Sequence, residues 1–247
     1  MKNVFFFFLF LSVTCTAQSD LNRYFYWTDF VSQVNADVVG RDMVASNSGT
    51  GASSGACTTT SKRNVVGVLL STTGSTATGR AQLLTQIHSV VFGGGEWTYV
   101  VGIDSIPVLS SVGQRYQYMV GFLDASTANQ TDGVYFLYDE GGVSTGSAAS
   151  ANWQCVTVNN STRTFTTSTV AVAVTGAKLK VVINADGTEA VFYINDVEEA
   201  RHSTNIPTTL FTRTCGYGFV LLKSAGTTPA LVHTDYIGVE CVYTTPK

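Results

Sequence analysis

The chain has 247 residues, a formal net charge of −3 and 13% charged residues. Lysines and arginines are scattered, with no run longer than Lys62-Arg63, so no basic patch exists to neutralise phosphates, and nucleic acid is excluded as a partner. The length suits one all-β domain with a two-sheet core that needs no staples.

The N-terminus reads as an export signal over residues 1–17. Lys2 supplies the positive start, and VFFFFLFLSV from Val4 to Val13 is an apolar run of about ten residues, too short to span a bilayer. Cys15-Thr16-Ala17 offers small residues for cleavage after Ala17. Residues 18–247 then form one domain, secreted or periplasmic, with no membrane span left.

Tyr24 to Phe30 (YFYWTDF) is an aromatic first strand. Ser46 to Ser61 (SNSGTGASSGACTTTS) is a small-residue loop with little core-forming content. Strands follow at Asn64 to Ser71 and Arg80 to Ile87. In Glu96 to Ile103, Trp97, Tyr99, Val101 and Ile103 share one face at period two. In Arg115 to Leu123, Tyr116, Tyr118, Val120 and Phe122 lie on one side, with Arg115, Gln117 and Met119 on the other. Gly133 to Tyr138, Trp153 to Val158 and Arg163 to Ser168 continue the pattern. Lys178 to His202 is a three-strand meander with turns at Asn184-Ala185-Asp186-Gly187 and Asn195-Asp196. The rest of the chain is expected to pack around it. Gly216 to Lys223 and Leu231 to Tyr243 close the series. About a dozen strands without a helical period mean a sandwich or barrel.

Several segments carry a family likeness: GGGEWTYVVGIDSIP, RYQYMVGFLD, TDGVYFLYDE, ANWQCVTVNN, VVINADGTEAVFYIND, ARHSTNIPT and KSAGTTPALVHTDYIGVE. Together they resemble a concanavalin A-like jelly-roll domain found in structural and tail-associated proteins of tailed bacteriophages. The resemblance implies an all-β jelly-roll sandwich of two antiparallel sheets, displayed on a virion or an external appendage beside other virion subunits. The export signal departs from that pattern, because a virion protein assembled in the cytoplasm needs none.

Four cysteines follow the signal, Cys57, Cys155, Cys215 and Cys241, and an exported chain can pair them. The expected disulfides are Cys57–Cys241 and Cys155–Cys215, the first because strands near the two ends of a jelly roll are often neighbours. Buried thiols are the alternative. Neither Cys-x-x-Cys nor a His pair suggests zinc.

The fold hosts lectins, glycosidases and polysaccharide lyases, so function rests on residues. A retaining glycosidase needs two carboxylates about 5 Å apart. Asp139-Glu140 and Glu198-Glu199 are adjacent on strands and point to opposite faces. Gln86-Ile87-His88 matches a lyase motif, but the Arg-rich and Tyr-rich strands of such an enzyme are missing, and a non-enzyme is expected. His202 and His233 sit on alternating strands as structural residues. No cofactor is expected; calcium has only Asp124, Asp132 and Asp139 near strand ends to hold it.

If a polysaccharide or cell-surface glycan binds the concave face, the candidates are Arg115, Gln117, Tyr135 and Trp153, with Asp132 at the rim. Core packing is the competing role for the aromatics. The expected function is a lectin-like binding module, with a purely structural module and a jelly-roll enzyme as the alternatives.

Overall fold

The structure is a computed structural model that describes residues 22–28, 30, 43–57, 67–86, 89–142, 149–208 and 213–245. The export signal and His88 lie outside the described residues. Among the described residues fifteen strands run in chain order: β1 (Arg23–Thr28), β2 (Met43–Ala45), β3 (Ser53–Ala56), β4 (Leu69–Thr72), β5 (Arg80–Thr85), β6 (Gly95–Ser105), β7 (Tyr116–Leu123), β8 (Gly133–Asp139), β9 (Ser150–Asn159), β10 (Thr162–Ala171), β11 (Ala177–Ile183), β12 (Ala190–Ile194), β13 (Val197–His202), β14 (Gly216–Lys223) and β15 (Leu231–Tyr243). Among the described residues no helix is long and apolar enough to cross a membrane.

Two antiparallel sheets result. The eight-stranded sheet runs β13-β12-β11-β6-β15-β4-β3, with β1 also paired to β15. The seven-stranded sheet runs β10-β9-β8-β7-β14-β5-β2. β15 is long enough to serve three partners: β6 along one edge, then β4 and β1 in succession on the other.

The meander forms as its turns dictate. Gly187 takes φ 73°, and Asn195 and Asp196 take φ 51° and 66°, the left-handed positions of a tight hairpin. It does not organise the molecule, however: β13 is a sheet edge, and the middle is held by β6 and β15. The expected loop at Ser46 to Ser61 contains a short strand, β3, because its backbone pairs with β4 although Ser53 stays exposed and Ser54 is only half-buried.

The inner faces meet in one core. Trp97, Tyr99, Val101 and Ile103 of β6 pack with Tyr116, Tyr118, Val120 and Phe122 of β7 and with Phe136, Trp153 and Phe192. Phe136 and Phe192 meet edge-on across the sheets at 5.3 Å, and Trp97 meets Phe122 at 6.0 Å. Such pairs add about 0.5–1.5 kcal/mol beyond area burial. The Tyr99 hydroxyl crosses the core to donate to the Gly218 carbonyl at 3.0 Å.

No disulfide forms among the described residues; Cys57, Cys155, Cys215 and Cys241 stand as thiols. Topology explains the correction. Cys155 on β9 and Cys215 at the start of β14 are separated by β8 and β7, three strand spacings or roughly 14 Å. A disulfide tolerates no more than about 7 Å between Cα atoms. Cys57 follows Ala56, which lies level with Leu69 and Thr234; Cys241 sits seven residues further along β15, roughly 20 Å away.

Candidate functional site

The outer face of the seven-stranded sheet carries two of the expected binding residues, Gln117 and Tyr135. Its cross-strand rows can be read from the register. One row runs Phe165, Val156, Tyr135, Gly121, Gly218, Leu84, Val44. The next runs Gln154, Leu137, Met119, Val220, Gln82. A third carries Asp139, Gln117, Leu222 and Arg80. This face is an apolar floor with carboxamides set into it. Leu84, Met119, Leu123, Tyr135, Leu137, Val156, Val158 and Val220 form a second buried cluster, distinct from the intersheet core.

Gln117 and Tyr135 are both on this face, but both are buried. Gln117 donates from Nε2 to Asp139 Oδ2 at 3.0 Å, so the expected ligand-reading amide is engaged within the sheet. Burial raises the Tyr135 phenol pKa, against the opposing pull of the Arg163 guanidinium that bonds to it. Trp153 is not on this face. It points into the core against Tyr118, Phe136 and Tyr138, so core packing is its role. Arg115 is half-buried and reaches the Gly141 carbonyl at 3.4 Å. Asp132 is buried; it accepts from Asn160 N at 2.9 Å and from Arg213 Nη1 at 3.0 Å. The five residues therefore do not converge on one site.

What the structure does assemble lies beside them. Residues 124–132 fold back over the β5 end of the face. Gln130 is buried at the loop's centre; its Oε1 accepts from Asp124 N and Ala125 N, and its Nε2 donates to the Thr127 carbonyl. The Asp124 carboxylate accepts from Thr131 N at 3.1 Å and Asp132 N at 3.0 Å. Burial nonetheless raises the Asp124 pKa, outweighing those two amides. Arg80 pins the loop from below through Ser126 Oγ at 3.0 Å.

Between this loop and β2–β5 is a cavity of about 420 Å³, lined by Val44, Gln82, Leu84, Thr85, Gln86 and residues 124–127. Gln82 Oε1 is buried there without a hydrogen-bond partner. Gln82 is the one polar residue in the middle of the apolar run AQLL on β5. That isolated amide was the available sequence signal for the pocket. Gln86 entered the sequence reading only as part of a three-residue lyase motif.

The carboxylates near strand ends do not fit calcium. Asp124 faces backbone N–H groups, Asp139 a carboxamide, and Asp132 the Arg213 cation, whose charge would repel a metal. Among the described residues no three His, Cys, Asp or Glu side chains gather to hold one. Asp104, Ser105 and His233 form a chain, Ser105 Oγ lying 2.7 Å from His233 Nδ1 and 3.0 Å from Asp104 Oδ2. The serine stands in the middle and gives its proton to Asp104, whereas an activated nucleophile needs the histidine in the middle.

A family model described as SO2946-like, C-terminal domain, matches residues 64–235. The chain belongs to this family. SO2946-like architecture extends beyond the matched segment. A protein of unknown function, SO2946 from Shewanella oneidensis MR-1, superposes with a TM-score of 0.59 at 14% identity, covering 91% of this chain and 89% of that one. Peanut lectin gives 0.56 at 9% identity, covering 90% and 99%. An endo-1,3-beta-glucanase from Streptomyces sioyaensis gives 0.53 at 14% identity, covering 90% and 97%. At these identities the likeness establishes the lectin-like jelly-roll fold alone. A search of curated proteins finds no match.

Proposed function

We propose that this SO2946-like domain is a lectin-like module that binds neutral glycan in the pocket between β5 and the 124–127 loop. One observation carries the reading. The pocket combines an aliphatic floor, Val44 and Leu84, with two carboxamides, three hydroxyl-bearing side chains and one carboxylate. Such a mixed lining offers a polyhydroxylated ligand both an apolar surface and hydrogen-bonding partners, and a few hundred Å³ is an ordinary size for a small-ligand site.

Binding without catalysis is the reading favoured by the carboxylates. Those nearest the pocket are held by protein donors, Asp124 by amides and Asp132 by Arg213. Neither is left to act as an acid–base partner of the other. The N-terminal apolar stretch and the phage-domain resemblance support a module that is exported or displayed on a particle or appendage. There it would contact a polysaccharide surface.

The test is binding of the purified chain to a panel of soluble oligosaccharides, with product release followed in the same wells. Saturable binding that Gln82→Leu abolishes, without shortened or unsaturated products, supports the proposal. Product release sinks the non-enzymatic reading; absence of any binding leaves a structural module.

A further inference from the structure

The opposite sheet carries a feature that the pocket does not use. β1 alternates strictly, sending Tyr24 and Tyr26 toward the core and Phe25 and Trp27 outward, 60% and 49% exposed. Trp27 stacks on Tyr236 of β15, with ring centroids 4.8 Å apart and planes 16° from parallel. Two glycines make this arrangement possible. A Cβ on Gly238, which pairs with Trp27, would lie 2.6 Å from Trp27 Cε3. A Cβ on Gly102, which pairs with Tyr236, would lie 2.4 Å from Tyr236 Cε1. Both rings settle onto bare backbone, and the result is a low aromatic ledge. Of the cations around it, Arg23 pairs with Glu240, Lys178 pairs with Asp196, and Lys180 lies over the Tyr193 ring at 4.2 Å.

We propose that this ledge is a second binding surface, for the flat C–H face of a neutral, β-linked polysaccharide chain. Aromatic faces carry partial negative charge and a large apolar area. The C–H groups on one side of an equatorially linked pyranose match them in both respects. An anionic polymer would need several unpaired cations at the rim, and here Arg23 and Lys178 are paired with carboxylates while Lys180 is turned onto the Tyr193 ring. A protein partner would need more area. The exposed parts of Phe25, Trp27 and Val242 amount to roughly 300 Å², against about 800 Å² per side for a stable interface. Because ledge and pocket lie on the outer faces of opposite sheets, one chain would hold two glycan strands at once.

The experiment mixes the purified chain with microcrystalline cellulose, insoluble chitin and insoluble 1,3-β-glucan. The bound fraction is measured by sedimentation, with iodide quenching of tryptophan fluorescence in the same samples. Trp97 and Trp153 are buried, so iodide reports on Trp27. The chain is expected to partition onto at least one polymer, and binding is expected to shield Trp27 from iodide. Trp27→Ala should lower the partition constant at least tenfold and Phe25→Ala at least threefold, while Trp27→Phe keeps most of it. Gln82→Leu should leave the iodide shielding of Trp27 on the polymer intact, and Trp27→Ala should still lower the partition constant in that background, which separates the ledge from the pocket. The proposal is overturned if the wild type partitions onto none of the three, or if Trp27→Ala and Phe25→Ala both bind like the wild type. A concentration-dependent dimer that Trp27→Ala abolishes, without polymer binding, would also overturn it and assign the ledge to a protein contact.

Discussion

Gln117 and Asp139 are cross-strand partners on the outer face of the seven-stranded sheet, and the Gln117 carboxamide donates to the Asp139 carboxylate at 3.0 Å in a fully buried setting. A hydrogen bond to a charged group contributes about 1.5–3 kcal/mol. Gln117→Ala is expected to lower the unfolding free energy by about that amount in urea titrations. Glycan binding at the pocket should be spared, because the contact lies two strands from Gln82.

Gln82 should behave in the opposite way. Its Oε1 has no partner, so replacing it with an apolar side chain of similar size removes a desolvation penalty. Gln82→Leu is expected to leave stability unchanged or raise it by up to about 1 kcal/mol. The same variant should lose glycan affinity by tenfold or more. Isothermal titration and thermal unfolding on the same preparation check both halves. A variant that loses stability and binding together would show that Gln82 is structural.

Asp132 and Arg213 tie the pocket loop to the segment before β14 through a largely buried ion pair. Removing one partner strands the other charge, a change that costs about 3 kcal/mol in buried pairs. Arg213→Ala should destabilise on that scale, and Asp132→Asn less, since the amide oxygen still accepts from Asn160 N. Urea unfolding of the two single variants and the double variant measures the coupling.

His202 links the sheets at the β13 edge. The Thr157 hydroxyl donates to the Thr204 carbonyl, so it accepts from His202 Nδ1–H, and Nε2 accepts from Thr166. Burial holds the imidazole pKa below its ordinary value. As pH falls, the unfolded chain therefore takes up the proton first. This contribution to stability is present in full above about pH 6.5. It is lost as pH falls toward the lowered folded-state pKa. Melting temperature followed from pH 8 to 5 should drop less steeply in His202→Gln than in the wild type.

Burial raises the thiol pKa values of Cys155 and Cys215. Alkylation at pH 8 should spare both in the native state. Labelling in guanidinium without reductant should modify all four of Cys57, Cys155, Cys215 and Cys241. A Cys57–Cys241 or Cys155–Cys215 disulfide found by peptide mapping would contradict the strand order.

The strands, their turns and most inward-facing residues were legible in the sequence. Trp97, Tyr99, Val101 and Ile103 alternate with more polar neighbours, and Asn195-Asp196 and Gly187 supply the conformations that hairpins demand. These are local properties, written into consecutive residues. The sequence also marked Tyr24 to Phe30 as an aromatic strand without saying that Phe25 and Trp27 face outward. Tertiary structure decided what depends on distant partners: β15 beside β6, four strands between Cys155 and Cys215 counted inclusively, and a pocket closed by a loop forty residues from Gln82. In β8 nearly every side chain is apolar and β9 carries polar residues on both faces, so alternation could not tell Tyr135, which faces outward, from Trp153, which faces the core. Register between strands far apart in the chain is set by packing and ladder pairing, and no local pattern encodes it.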